Sequence, residues 1–312
     1  MRRSFLYAWF AVLLLGPLFR IEASAVPKTW RAVLISIETP TTPQEQQLGS
    51  GKFREIGTGF MISPDSKPPL RAILFTAKHV FEAACPLLIV YLRHIASPRD
   101  AQGEQKRQEL NICRRVPLGQ GANIMVFNQP LWTAHPSADI VGILMPPGPN
   151  MPNPDDITVF ELNIDVATKE KEKQWDIGEG DETYTIAFQP DIVKGQPGSP
   201  IFRHGIIAEY SEDADIFWID SLVFPGNSGS PVVLKPNMIH RTDTGYNIGQ
   251  VNPPLLVGVV VAFVPYIDVA MSLQTQRPRI TFEENSGLAR VVRSARVVEL
   301  LQTMTPFLGA PH

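Results

Sequence analysis

Phe224-Pro225-Gly226-Asn227-Ser228-Gly229-Ser230-Pro231 sets one serine in a run suited to tight turns. Gly226 and Gly229 carry no Cβ, so the chain can fold sharply there and turn amide N–H groups toward one point. A nucleophilic serine needs that arrangement, because the oxyanion of a tetrahedral intermediate must meet donors already in place. Alone, G-x-S-x-G also describes an ordinary glycine-rich hairpin turn. The rest of the chain decides between the two readings, since it supplies a base and an orienting carboxylate.

His79 lies in Leu74-Phe75-Thr76-Ala77-Lys78-His79-Val80, where an apolar strand ends and a short turn of helix is expected. A histidine at a strand end stands on a rigid base and can aim its ring into a cleft. Imidazole titrates near neutrality, so such a ring can take a serine proton and return it to a leaving amine. His94, His135, His204, His240 and His312 lack that setting. Asp139 immediately precedes the apolar run Ile140-Val141-Gly142-Ile143-Leu144. A buried carboxylate there must be paired and hydrogen-bonded. The Nδ1–H of a catalytic histidine is a suitable partner, which it would hold in the correct tautomer. The plainer alternatives are a structural histidine and a strand-initiating turn aspartate.

Composition fits a soluble globular protein: 312 residues, 44% apolar and 19% charged. Arg2 and Arg3 precede an uncharged run from Ser4 to Phe19, and Ala23-Ser24-Ala25 follows, the layout of a secretory signal peptide cut after Ala25. Membrane association is expected only if that segment stays attached. Residues 1–25 hold three of the 28 basic and one of the 31 acidic residues, leaving 25 against 30 in the remainder. No basic cluster marks a nucleic-acid binder. Cys85 and Cys113, an even pair in an exported chain, suggest one disulfide, with two unpaired thiols as the alternative. No C-x-x-C or H-E-x-x-H occurs, so neither metal nor cofactor is expected. Lys169 to Lys173 alternates in sign and reads as a solvated loop or helix face.

Short β-branched or apolar runs dominate: Arg31 to Ile37, Thr58 to Ile62, Ala72 to Thr76, Leu87 to Leu92, Ile140 to Leu144, Thr183 to Phe188, Ile216 to Val223, Pro231 to Leu234 and Leu256 to Val264. The 29 prolines and 22 glycines lie mostly between them, as an all-β chain with many turns requires. Pro146 to Pro154 holds five prolines in nine residues, a stiff connector between two halves. Pro265 to Arg279 has no clear period and reads as an irregular loop. Ser97 to Gln108 and Tyr266 to Arg279 are candidate insertions over a site. Ser294 to Gln302 changes to helical spacing.

Thr76-Ala77-Lys78-His79-Val80, Asp139-Ile140-Val141 and Gly226-Asn227-Ser228-Gly229-Ser230-Pro231 resemble the triad motifs of chymotrypsin-fold serine proteases. The order His, Asp, Ser is that fold's order. Closer still is the bacterial trypsin-like branch that includes the high-temperature-requirement proteases. It is matched further by Gly57-Thr58-Gly59-Phe60-Met61-Ile62, by Pro200 to Ile207, and by Asn285-Ser286-Gly287-Leu288-Ala289 before a terminal helix.

The resemblance implies an all-β fold of two antiparallel six-stranded β-barrels with a short C-terminal helix. The first barrel would span residues 26–150 and the second 151–305, with no PDZ module after them. It implies a cleft site with His79, Asp139 and Ser228 as the triad and the N–H groups of Gly226 and Ser228 as the oxyanion hole. Leu222, Val223 and Phe224 would line the specificity pocket. No acid follows Asp220 there, so a small or medium apolar residue is expected before the scissile bond of a protein or peptide substrate. Asn227 stands where digestive trypsins carry an aspartate, so activation by a new N-terminus is not expected. Ser230 replaces the motif's second glycine. A proteolytically silent homologue and an esterase are the alternative functions, and the oligomeric state is left open.

Overall fold

The computed structural model describes residues 34–40, 53–64, 72–84, 90–94, 107–110, 125–126, 129–130, 132–145, 159–188, 200–242, 245–248 and 251–304. The signal-like segment, Cys85, Cys113 and the Pro146–Pro154 connector lie outside them.

The main antiparallel sheet of the N-terminal half is built from β1 (Leu34–Pro40), β2 (Phe53–Ser63), β3 (Ala72–Ala77), β4 (Val90–His94), β5 (Arg107–Leu110), β6 (Trp132–Ala134) and β7 (Ile140–Met145). Their order is β5-β4-β1-β2-β3-β7-β6. The short β8 (Phe160–Glu161) adds in parallel to β2. Helix α1 (Lys78–Ala84) follows β3 directly. Every residue of β3 is buried, as its unbroken apolar run predicts for a strand covered on both faces.

The C-terminal half is a closed barrel of β9 (Glu182–Ala187), β10 (Ile201–Glu209), β11 (Ile216–Asp220), β12 (Pro231–Leu234), β13 (Leu256–Met271) and β14 (Pro278–Arg293). They run β9-β10-β11-β14-β13-β12 and return to β9. Ile207, Phe217, Ile219, Val232, Val257, Val260 and Val291 are among the side chains filling one core cluster of this barrel. Two short helices, α2 (Leu162–Asp165) and α3 (Lys169–Gln174), precede it, and α4 (Ser294–Met304) follows.

Only one of the two expected barrels is closed among the described residues. The N-terminal sheet ends in β5 and β6, edge strands of four and three residues that do not pair with each other. The halves nonetheless share a core. One apolar cluster joins Phe60, Phe75 and Trp132 of the first sheet to Phe188, Val233 and Leu256 of the barrel, and to Leu300 and Leu301 of α4. Phe60 and Phe160 pack edge to face at 5.7 Å, and Phe81 and Trp132 at 5.3 Å.

One local expectation is overturned and another is met only in part. Pro265 to Arg279 is no irregular loop, because β13 and β14 run on past the barrel as a paired ribbon from Pro265↔Asn285 to Met271↔Pro278. Lys169 to Lys173 is not simply a solvated face either. Glu172 is buried and pairs with the Arg293 guanidinium at 2.5 Å. Arg293 Nη2 also donates to the Tyr210 hydroxyl at 2.9 Å, and Nη1 to the carbonyls of Ser211, Glu212 and Ala214. Lys171 Nζ turns back to donate to the carbonyls of Asn163, Ile164 and Val166, satisfying the end of α2.

Candidate active site

Ser228 sits between β11 and β12, in a loop whose backbone is largely committed. Asn227 N donates to Phe224 O (2.9 Å), Gly229 N to Val260 O (2.7 Å) and Ser230 N to Asn227 O (3.0 Å). The amides of Gly226 and Ser228 donate to no protein acceptor among the described residues. Two such donors on alternate residues of one loop can converge on a single oxyanion. Gly226 (φ 94°) and Gly229 (φ 88°) adopt the left-handed conformation that this turn requires. At Gly229 the space is closed as well, since a Cβ there would lie 1.9 Å from Thr58 O and 2.3 Å from Thr76 Oγ1.

The loop is gripped from the other half of the molecule. Thr58 N donates to Ser228 O at 2.9 Å, and Thr58 Oγ1 donates to Gly226 O at 3.1 Å. Thr76 Oγ1 donates to Thr58 O at 2.8 Å, tying β3 into the same knot. Asn227 is fully buried; its Nδ2 donates to Phe188 O (2.7 Å) and its Oδ1 accepts from Phe224 N (2.9 Å). A neutral amide therefore does at this position the bracing that needs no charge. Ser230 is buried, and its hydroxyl has no partner among the described residues. In the sequence Thr58 and Thr76 stand only as motif neighbours, and nothing local marks them as supports.

His79 and Asp139 meet closely. His79 Nδ1 lies 2.7 Å from Asp139 Oδ2, and His79 N donates to Asp139 Oδ1 at 3.0 Å. Lys78 N donates to Asp139 O at 3.1 Å, so the turn before β7 is fixed to the start of α1. One carboxylate thus orients both the ring and the backbone of the histidine, and it leaves Nε2 as the nitrogen available for chemistry. His135 braces that turn: its Nδ1 accepts from Ala138 N (2.9 Å) and Ser137 N (3.3 Å), and its Nε2 faces Glu299 at 3.3 Å.

His79, Gly226 and Ser228 line one open cleft of about 320 Å³. Its other walls are Ile56, Val223, Phe224, Pro225 and the β13 segment Val260 to Phe263. Ser228 Oγ donates to Val261 O at 3.4 Å and makes no hydrogen bond with His79. Of the three residues expected in the specificity pocket, Val223 and Phe224 line the cleft. Leu222 does not: it stands half exposed just beyond the end of β11. No carboxylate is among the described residues that line the cleft, and the Arg203 guanidinium lies 5.0 Å from the Phe224 ring centroid. Among the described residues no three His, Cys, Asp or Glu side chains gather as a metal-binding group.

No family model matches the chain, and no curated protein matches it. Among solved structures it is similar to Rv3671c from M. tuberculosis H37Rv, in an inactive form with a serine replaced by alanine. Sequence identity is 15%, the TM-score is 0.42, and the match covers 91% of each chain. A likeness this distant assigns neither fold nor chemistry, and both rest on the chain's own geometry.

Proposed function

We propose that this chain is an exported serine endopeptidase of chymotrypsin-like organisation, working through Ser228, His79 and Asp139. The observation that carries this reading is the meeting, in one cleft, of a carboxylate-held imidazole, a serine and two unpartnered amides.

In the reaction Ser228 Oγ attacks a peptide carbonyl while His79 Nε2 takes its proton. The Asp139 carboxylate stabilises the imidazolium that forms. The carbonyl oxygen becomes the oxyanion, and the amides of Gly226 and Ser228 receive it. The tetrahedral species collapses as His79 gives its proton to the leaving amine, which leaves an ester on Ser228. Water, deprotonated by the same imidazole, hydrolyses that ester and restores the serine. Before attack the Ser228 hydroxyl must leave Val261 O for His79; such catalytic hydrogen bonds are often long or poorly aligned in unliganded sites and tighten with substrate.

The walls favour a small or medium apolar residue before the scissile bond. Val223, Val260 and Val261 offer apolar contact, no acid is present for a lysine or arginine, and Arg203 behind Phe224 adds a cation. Export would follow from residues 1–25, removed after Ala25.

Peptide amides and matched esters, assayed on wild type and Ser228→Ala, test the reading. The proposal expects both to be cleaved by wild type only, and a valine or alanine peptide to be cut faster than its lysine counterpart. Ester turnover without amide turnover would indicate an esterase. A second reading, a silent homologue that binds without cutting, is favoured by the Ser228–Val261 hydrogen bond that draws the hydroxyl off the imidazole. It predicts no turnover of either substrate.

A further inference from the structure

We propose that two copies of this chain dimerise through the ribbon formed by the far ends of β13 and β14, the β14 edge of one adding to the β14 edge of the other. The result is a single four-stranded antiparallel sheet. This inference does not depend on the chemistry of the cleft.

The ribbon is open on both sides. β11 pairs with β14 only from Leu288 to Val292, and β12 pairs with β13 only from Leu256 to Val259. Pro265 to Met271 and Pro278 to Asn285 therefore pair only with each other among the described residues. A two-stranded hairpin alone is marginal in water. This one also exposes Tyr266, Ile267, Met271, Leu273, Ile280 and Phe282, each about half accessible or more, with Leu273 at 92%. Of these, Ile280 and Phe282 lie on β14, the strand whose outer edge is free.

The order of side chains along this free edge identifies a second copy as its partner. Arg279-Ile280-Thr281-Phe282-Glu283 complements itself when two copies run antiparallel. Centred on Thr281, each Arg279 faces the other copy's Glu283, each Ile280 faces a Phe282, and the two Thr281 residues face each other. Opposite charges, an aromatic with a β-branched residue, and Thr with Thr are favoured cross-strand pairs. A two-fold axis presents each off-centre pair twice, as an isologous contact requires. Edges that stay free are commonly blunted with charge. A row of one sign would repel a second copy, but here the sign reverses across the centre. The same reversal runs along the whole ribbon, with Asp268, Glu283 and Glu284 toward its root and Arg277 and Arg279 near its tip.

Sedimentation velocity of the purified full chain over a range of concentrations reads the dimer directly, beside Arg279→Glu, Glu283→Arg and the double exchange. The expected result is a dimer for the full chain. Each single variant should weaken it about tenfold or more, because the repulsion is counted twice, and the double exchange should restore it. Thr281→Cys should give a disulfide-linked dimer under mild oxidation, since facing residues of antiparallel strands lie about 4.5–5.5 Å apart at Cα. Leu273→Cys, at the tip, should not. Superimposable circular dichroism spectra would show that the variants fold. A monomer at every concentration overturns the proposal. So does a dimer that is equally tight in Arg279→Glu and resists Thr281→Cys cross-linking, or binding to anionic lipid vesicles without self-association.

Discussion

The amide of Thr58, on the N-terminal sheet, donates to the carbonyl of Ser228, in the C-terminal barrel, at 2.9 Å. The Thr58 hydroxyl donates to Gly226 O and accepts from Phe188 N at 3.3 Å. A residue 170 positions before the serine in the chain therefore helps set the geometry of the Ser228 loop. Thr58→Val keeps the shape and removes the hydroxyl, leaving buried polar groups unpaired. A loss of about 1–3 kcal/mol in urea unfolding is expected. If the loop shifts by a fraction of an ångström, kcat should fall about tenfold or more with KM little changed.

Asp139 holds His79 through both oxygens, so Asp139→Asn should preserve the fold while misdirecting the ring. An amide at that position offers N–H where the ring needs an acceptor. The expected fall in kcat is about 10⁴-fold, the size known for the equivalent change in a serine protease triad. Peptide turnover beside an unchanged melting temperature checks it.

Gly229→Ala should be severe. The residue is left-handed, and its Cβ would collide with Thr58 O and Thr76 Oγ1, neither of which is the end of a flexible side chain. A destabilisation of about 3 kcal/mol or more is expected, and urea denaturation measures it.

The Glu172–Arg293 pair predicts non-additivity. Burial pushes the Glu172 carboxyl up against the pull of Arg293, and burial also pushes the Tyr210 hydroxyl well above its usual range. Arg293→Met strands Glu172 and should cost about 3–5 kcal/mol. Arg293→Met combined with Glu172→Leu should recover part of that loss, the carbonyls of Ser211, Glu212 and Ala214 still lacking their donor, and a double-mutant cycle would read out the coupling.

At acid pH the weak point to probe is Glu299 on α4. The Arg296 guanidinium holds its carboxyl below the ordinary glutamate range, with His135 assisting. Because the folded pKa is depressed, the stabilisation is present at neutral pH and is lost as pH falls through the folded value. Glu299→Gln should lower the melting temperature slightly at neutral pH and converge with wild type in acid. The residue is well exposed, so the effect should stay below about 1 kcal/mol.

How much of this was legible in the sequence follows from what is local. Ala72 to Thr76 and Ile140 to Leu144 announce themselves by apolar composition, and both fold as fully covered strands. The Gly-rich turn at Ser228 is equally plain, because backbone conformation there is a property of the glycines. The Glu172 pairing was not legible: its partner lies 121 residues away, and alternating Lys and Glu look solvated until Arg293 is in place. The ribbon was missed for a related reason. Pro265 to Arg279 carries no single face to bury, and its strands hold together by pairing across a turn rather than by a local period. The resemblance puts Leu222 with Val223 and Phe224 around the specificity pocket, yet only the latter two line the cleft. A side chain one position along an extended segment points the other way.

The most direct test is the intact mass of the folded chain after exposure to a fluorophosphonate. The account predicts one adduct, mapped to Ser228, formed by wild type, slowed strongly in His79→Ala and absent in Ser228→Ala. No adduct on folded wild type, or an adduct that forms as fast without His79, would contradict it.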